Sequence, residues 1–100
     1  MTKFRKKIFK IVAQIPKGRI STYQEVAKTL GSPRACRGVG SALNKNTDYR
    51  IPCHRVIKAD GHVGGFRLGS KKKIWLLKNE GIEIKKDRVI NFKKYFWSLK

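Results

Sequence analysis

Residues 22–44 read Thr22-Tyr-Gln-Glu-Val-Ala-Lys-Thr-Leu-Gly-Ser-Pro-Arg-Ala-Cys-Arg-Gly-Val-Gly-Ser-Ala-Leu-Asn44, and this stretch decides the fold. Thr22 and Glu25 have the spacing of a capping box, in which the threonine hydroxyl takes a backbone N–H and the glutamate reaches back. Tyr23, Val26, Ala27 and Leu30 then recur at helical spacing and form a buried stripe. Gly31 stops that helix. Ser32 and Pro33 predict the start of another, as cap and first position. It runs to about Leu43 or Asn44, with Cys36, Val39 and Leu43 on one face. Two short helices joined by a Gly-Ser turn predict a helix-turn-helix. The second helix is rich in small residues: Ala35, Gly38, Gly40, Ser41 and Ala42. Small side chains let a helix approach a nucleic-acid groove, with Arg34 and Arg37 projecting from it. Close packing against another helix needs the same residues, and the sequence leaves both readings open.

On the N-terminal side, Phe4, Ile8, Ile11, Val12 and Ile15 predict an amphipathic helix over 3–15, broken by Pro16-Lys-Gly18. Lys10 and Gln14 interrupt its apolar stretch, and no small-residue cleavage site follows, so a signal peptide is not expected. On the C-terminal side, 45–52 is a loop and Cys53 to Ile57 reads as a strand. Lys58-Ala-Asp-Gly61 is a turn from which His62-Val63 pairs back as a hairpin. Ser70 caps a fourth helix running to about Glu80. Ile74, Trp75 and Leu77 are its expected buried residues, Lys78 is solvated, and Gly81 ends it. The expected fold is mainly α with a small β-hairpin, a single winged helix-turn-helix-like domain over 1–100. Residues 85–100 form a basic aromatic tail, read as a short helix that packs its rings on the core.

Lys and Arg number 25 against 6 Asp and Glu, a net charge of +19 over 100 residues. Such an excess opposes compaction and points to an anionic partner. Nucleic acid is the first reading; an anionic membrane surface and a lysine-rich genome are the others. No apolar run approaches the roughly 18 residues of a bilayer span, so a cytoplasmic, nucleoid-associated protein is expected. Cys36 and Cys53 lack zinc-site spacing, and a lone disulfide is not expected in such a chain.

Chemistry concentrates around Cys53. Only a thiolate is a strong nucleophile, so a reactive cysteine needs a base and fixed geometry. Pro52 stiffens the approach to Cys53, His54 follows it, and Glu80 ends the fourth helix; a Cys, a His and a carboxylate are the parts of an activated-thiol relay. Adjacent strand residues point to opposite faces, so His54 reaches Cys53 only through a bridging water or a bend.

Ile51-Pro-Cys-His-Arg-Val-Ile57 resembles the active-site motif of the O6-alkylguanine-DNA alkyltransferases. The similarity runs from about Phe4 to Ile82. It includes Ile20-Ser-Thr-Tyr-Gln24, Arg34-Ala-Cys-Arg-Gly-Val-Gly40, Asp60-Gly-His-Val-Gly-Gly65 and Trp75-Leu-Leu-Lys-Asn-Glu-Gly81, in family order. The resemblance implies that Cys53 accepts the alkyl group, with His54 as water-mediated base and Glu80 orienting it. It implies that Asn46 completes the hydrogen-bond network, that Tyr23 crowds the target phosphate, and that Arg37 fills the space left by the extruded nucleotide. The backbone at Val56 would read the flipped guanine. The second helix of the pair would lie in the minor groove, with Arg34, Ala35 and Gly38 among its DNA contacts.

The implied partner is double-stranded DNA containing O6-alkylguanine. The chain would be a monomer using no metal and no cofactor. Three departures stand out. Most members carry a further N-terminal domain. The loop 46–52 is one residue shorter and lacks a proline. Phe66, in the substrate pocket, replaces a tyrosine that donates to O6. These departures also resemble the alkyltransferase-like proteins, which bind the lesion and transfer nothing, although those usually have Trp or Ala where this chain has Cys53.

Overall fold

The computed structural model describes residues 3–99. Helix α1 spans Lys3–Val12, α2 Tyr23–Thr29 and α3 Cys36–Asn44. They enclose a first apolar cluster of Ile8, Phe9, Val12, Ile15, Val26, Ala27, Val39, Ala42 and Leu43. Helix α1 ends three residues before the expected Ile15, which still reaches that core. Gly31 at φ +81° ends α2, a conformation that disfavours any side chain.

The start signals of α2 and α3 are used differently from expectation. The Glu25 N–H does donate to Thr22 Oγ1 at 3.0 Å, but the Glu25 carboxylate does not reach back. It accepts instead from the Leu99 N–H at 2.9 Å and the Ser98 hydroxyl at 3.3 Å, fastening the C-terminal tail to α2. Ser32 does not cap α3. Its carbonyl accepts from the Ala35 N–H at 2.9 Å in a turn, and α3 begins at Cys36 without a side-chain cap.

Strand β1, Ser21–Thr22, pairs in parallel with β2, Val56–Ile57. Successive residues of a strand face opposite sides. Val56 therefore enters the first cluster, whereas Ile57 enters a second with Ile20, Val63, Leu77, Ile82, Val89 and Tyr95. Immediately before β2, Cys53–Arg55 forms a 3₁₀ turn rather than the expected strand.

Helix α4 spans Ser70–Asn79. Ser70 does not cap it; its hydroxyl donates to the Gly64 carbonyl at 3.2 Å. Leu77 is buried and Lys78 exposed as expected, but Trp75 is 57 % exposed. Residues four apart on a helix share a face. The residue beside Leu77 on the buried side is therefore Lys73, at 0 % exposure, and Trp75 falls on the opposite side.

The hairpin is also displaced. Lys58 N–H does donate to the His62 carbonyl at 2.9 Å, but His62 bridges to Arg88, and Val63 N–H donates to the Asp87 carbonyl at 2.8 Å. The antiparallel hairpin joins β3, Ile84–Lys85, to β4, Arg88–Val89. Its turn residues Lys86 and Asp87 both have positive φ, as a two-residue type I′ hairpin requires. Helix α5, Phe92–Tyr95, follows, and the tail then bridges at Phe96 to Ile20 and buries Leu99 in the first cluster.

Candidate active site

Cys53 is presented by two tight turns. Its N–H donates to the Ile51 carbonyl at 2.8 Å, and Pro52 between them has φ −79° and ψ 64°, an inverse γ-turn. Proline suits it because the ring already holds φ near that value. The 3₁₀ turn then bends the chain at Cys53-His54. Cys53 is 8 % exposed, and Asn46 Nδ2 donates to its Sγ at 3.1 Å. Asn46 is itself held, accepting from the Asp48 N–H at 3.0 Å and donating to the Asp48 carbonyl at 2.9 Å. Burial pushes the Cys53 thiol up, against the opposing pull of Asn46 and the positive charges of Lys73 and Arg67. At neutral pH the resting group is a thiol, so attack requires a base.

His54 Nε2 lies 2.7 Å from Glu80 Oε2. An ionised carboxylate accepts only, so Nε2 carries the proton and Nδ1 keeps its lone pair. Burial holds His54 below the usual imidazole range, against the pull of Glu80, and the ring is neutral at pH 7. A neutral imidazole with a free nitrogen can accept a proton.

Glu80 caps the C-terminus of α4 and is held from several sides. Arg55 donates from Nε to Oε1 and from Nη2 to Oε2, both at 2.9 Å, and Gly18 N–H donates to Oε1 at 3.2 Å. Burial raises the Glu80 pKa, but the hydrogen bonds from Arg55 and His54 outweigh it and hold the carboxyl below its usual range. Arg55 also donates to the Ile15 carbonyl at 2.8 Å, tying the site to the segment that follows α1. No hydrogen bond joins His54 to Cys53 among the described residues.

Sequence reasoning missed Lys73 and Arg55. Lys73 Nζ donates to Tyr23 Oη and to the Gly65 carbonyl, both at 3.1 Å, and lies over the Tyr23 ring at 5.3 Å. Burial pushes its pKa down to about 7, with the charge of Cys53 pulling the other way. Tyr23 is pushed up to about 12, by burial first and then by Cys53. The signal was the four-residue spacing to Leu77, which singles out one of the three consecutive lysines 71–73.

A cavity of about 240 Å³ opens beside Cys53. Asn46, Cys53, His54 and Phe66 line it, together with Tyr49, Arg67 and Leu68. Val56 is absent from that wall; its side chain is fully buried in the first cluster. Arg37 is exposed on α3, and Arg34 is exposed in the turn before it. Ala35 is half-buried against the first cluster. Gly38 is a packing residue, because a Cβ there would lie 3.3 Å from the Phe4 ring. The small residues of α3 are thus used at least partly for helix packing. None of these four lines the Cys53 cavity.

Residues 3–82 match the family model described as "6-O-methylguanine DNA methyltransferase, DNA binding domain". The chain belongs to this family. It is 44% identical over 81 residues to a methylated-DNA–protein-cysteine methyltransferase of Methanosarcina acetivorans, an alignment covering 80% of this chain and 52% of that protein. It is 43% identical over 89 residues to a bifunctional methyltransferase/endonuclease of Picrophilus torridus, covering 88% of this chain and 30% of that one. The chain therefore spans about half or less of these family members. Among solved structures, S. pombe Atl1 in complex with damaged DNA containing O6-carboxymethylguanine superposes with a TM-score of 0.88 at 31% identity, over 98% of this chain and 97% of Atl1. The Mycobacterium tuberculosis OGT in complex with DNA gives 0.77 at 38% identity, over 81% and 50%. Within this family fold, no helix among the described residues is long and apolar enough to cross a membrane.

Proposed function

We propose that this chain repairs double-stranded DNA by moving the alkyl group of O6-alkylguanine onto Cys53 Sγ, once per molecule. The observation that carries the reading is Cys53 in the wall of the cavity, with Asn46 on its sulfur and the adjacent His54 paired with Glu80. His54 Nδ1 takes the thiol proton through a water, Glu80 and Arg55 keep the ring in place, and Asn46 stabilises the thiolate. Sulfur attacks the alkyl carbon, the carbon–O6 bond breaks, and its electron pair leaves with the guanine. The proton taken from the thiol balances the one the guanine regains. The thioether product is stable, so the protein is consumed.

The O6 atom lies inside the duplex, and extruding the nucleotide costs a few kcal/mol. Exposed Arg37 is the residue assigned to fill the gap, and the net charge of +19 holds the phosphates without reading sequence. The test is intact-protein mass spectrometry after incubation with a duplex carrying O6-methylguanine, followed by peptide mapping. The expected result is a gain of one methyl group on Cys53 that Cys53→Ala abolishes.

The end-to-end likeness to Atl1 favours a second reading, a lesion-binding protein that transfers nothing. Lesion-selective binding with no mass gain would establish it and overturn transfer.

A further inference from the structure

Helix α1 carries a stripe of charge that the proposed chemistry does not use. Lys3, Lys6, Lys7 and Lys10 are all exposed. With 3.6 residues per turn they fall within an arc of about 100°, on the side away from the buried Ile8, Phe9 and Val12. Residues three and four apart are neighbours on a helix, so Lys3–Lys6, Lys3–Lys7, Lys6–Lys10 and Lys7–Lys10 all repel. The first turn of α1 holds no acidic residue, and cations there also oppose the helix dipole. The first acidic residue of the chain is Glu25, whose carboxylate is taken by the C-terminal tail. No ion pair among the described residues involves any of the four lysines. A surface that serves solubility alone intersperses both signs of charge. This one destabilises the free protein, and an anion lying along it would relieve the repulsion.

The place of the stripe points to the anion. Phe4 is 40 % exposed, and its ring lies against α3 at Gly38, where a Cβ would come within 3.3 Å. Lys3 adjoins Phe4 and Lys7 is one turn beyond it; Arg37 adjoins Gly38, and Arg34 stands two residues before α3. The Phe4–Gly38 contact therefore sets the first turn of α1 beside the end of α3 that carries two exposed arginines. From Lys3 to Lys10 the stripe is about 10 Å long. Phosphates of one DNA strand recur about every 3.4 Å along the helix axis, so the stripe matches about three of them. Lysine ammonium groups are point charges on flexible stems, suited to phosphates and not to bidentate base contacts.

We propose that Lys3, Lys6, Lys7 and Lys10 form a second duplex-DNA contact, which grips the backbone flanking the nucleotides under α3 and supplies a large share of the non-specific affinity. This rests on the reading that α3 is applied to duplex DNA.

The experiment uses the full chain with Cys53→Ala, so that binding is read without turnover. Duplexes carrying guanine or O6-methylguanine are titrated across a salt series with this protein and with the same protein bearing Lys3→Gln, Lys6→Gln, Lys7→Gln and Lys10→Gln together. Each neutralised phosphate contributes about 0.9 to the slope of log affinity against log salt. The expected result is a slope about 2–3 smaller in the substituted protein, with the lesion-to-guanine affinity ratio unchanged because the stripe reads no base. The substituted protein should also unfold at higher urea, since the repulsion is gone. An unchanged slope overturns the proposal, and so does a lower urea midpoint, which would mean that the lysines stabilise α1. Acetylation of lysines in the unsubstituted chain, mapped with and without duplex, gives a reading independent of the variant. Protection of Lys3, Lys6, Lys7 and Lys10 by duplex supports the contact, and full reactivity overturns it. Binding to phosphatidylserine vesicles that the substitutions abolish, together with an unchanged DNA slope, would assign the stripe to a membrane surface instead. Duplex binding without lesion preference overturns the repair reading while the slope still tests the stripe, whereas absence of duplex binding overturns both.

Discussion

Replacing Lys73 by Met removes a buried amine while keeping an unbranched apolar stem. In the folded chain burial pushes the Lys73 pKa down to about 7 from its ordinary 10.5. Between those values the unfolded chain holds a proton that the folded chain has released, so stability rises with pH through that window. Below pH 7 both states are protonated and the destabilisation is complete; above 10.5 both are neutral and it is gone. Each pH unit inside the window changes stability by about 1.4 kcal/mol. From pH 7 to 10 the wild type should therefore gain about 4 kcal/mol relative to a chain with no amine at this position. The hydrogen bonds lost to Tyr23 Oη and the Gly65 carbonyl add an offset that varies little with pH while Tyr23, pushed up to about 12, keeps its proton. The assay is urea unfolding of both proteins at pH 7, 8, 9 and 10, with the difference in unfolding free energy plotted against pH. A difference that stays flat would refute the reasoning, because it would mean that Lys73 keeps an ordinary pKa and is not desolvated.

Three other outcomes follow from the site. Glu80→Gln leaves Arg55 without its ionic partner in a pair whose side chains are 17 % and 10 % exposed; it should cost about 3–5 kcal/mol of stability by urea unfolding and slow transfer by releasing His54. Asn46→Ala removes the donor on Cys53 Sγ, so the thiol pKa rises further and iodoacetamide alkylation of Cys53 at pH 8, read by peptide mapping, should fall about tenfold or more. An unchanged rate would show that the 3.1 Å contact does not stabilise the thiolate. Arg37→Ala should stay within about 0.5 kcal/mol of wild-type stability because the side chain is exposed, yet slow transfer from duplex while leaving transfer from single-stranded DNA unaltered; equal rates on both would remove Arg37 from nucleotide extrusion.

Much of the fold was legible because its signals are local. The apolar spacing of Phe4, Ile8 and Val12 describes α1, and the Thr22 hydroxyl caps α2 as its sequence position predicts. Gly31 and Gly81 stop helices where only a residue without Cβ is comfortable. Cys53, His54 and Glu80 were legible as parts of a relay, and the structure brings the His54–Glu80 pair to 2.7 Å. Their arrangement was not. Val, Ile and Arg near Cys53 are as compatible with a strand as with a turn, and the 3₁₀ turn follows from Pro52 and the parallel pairing of β2 with β1.

What the sequence by itself determined was the set of helices, the turn between α2 and α3, and the chemical identity of the groups in the proposed relay. Periodicity, caps and glycine stops act over a few residues and need no knowledge of the rest of the chain. Only the tertiary structure decided which donor met which acceptor. Glu25 could have closed a capping box, but it holds the tail at Leu99 instead. One of three adjacent lysines was buried beside Tyr23, Trp75 was left outside, and Gly38 was set against Phe4. Each of these is a competition between partners distant in sequence, and close packing settles it through contacts that no local pattern encodes.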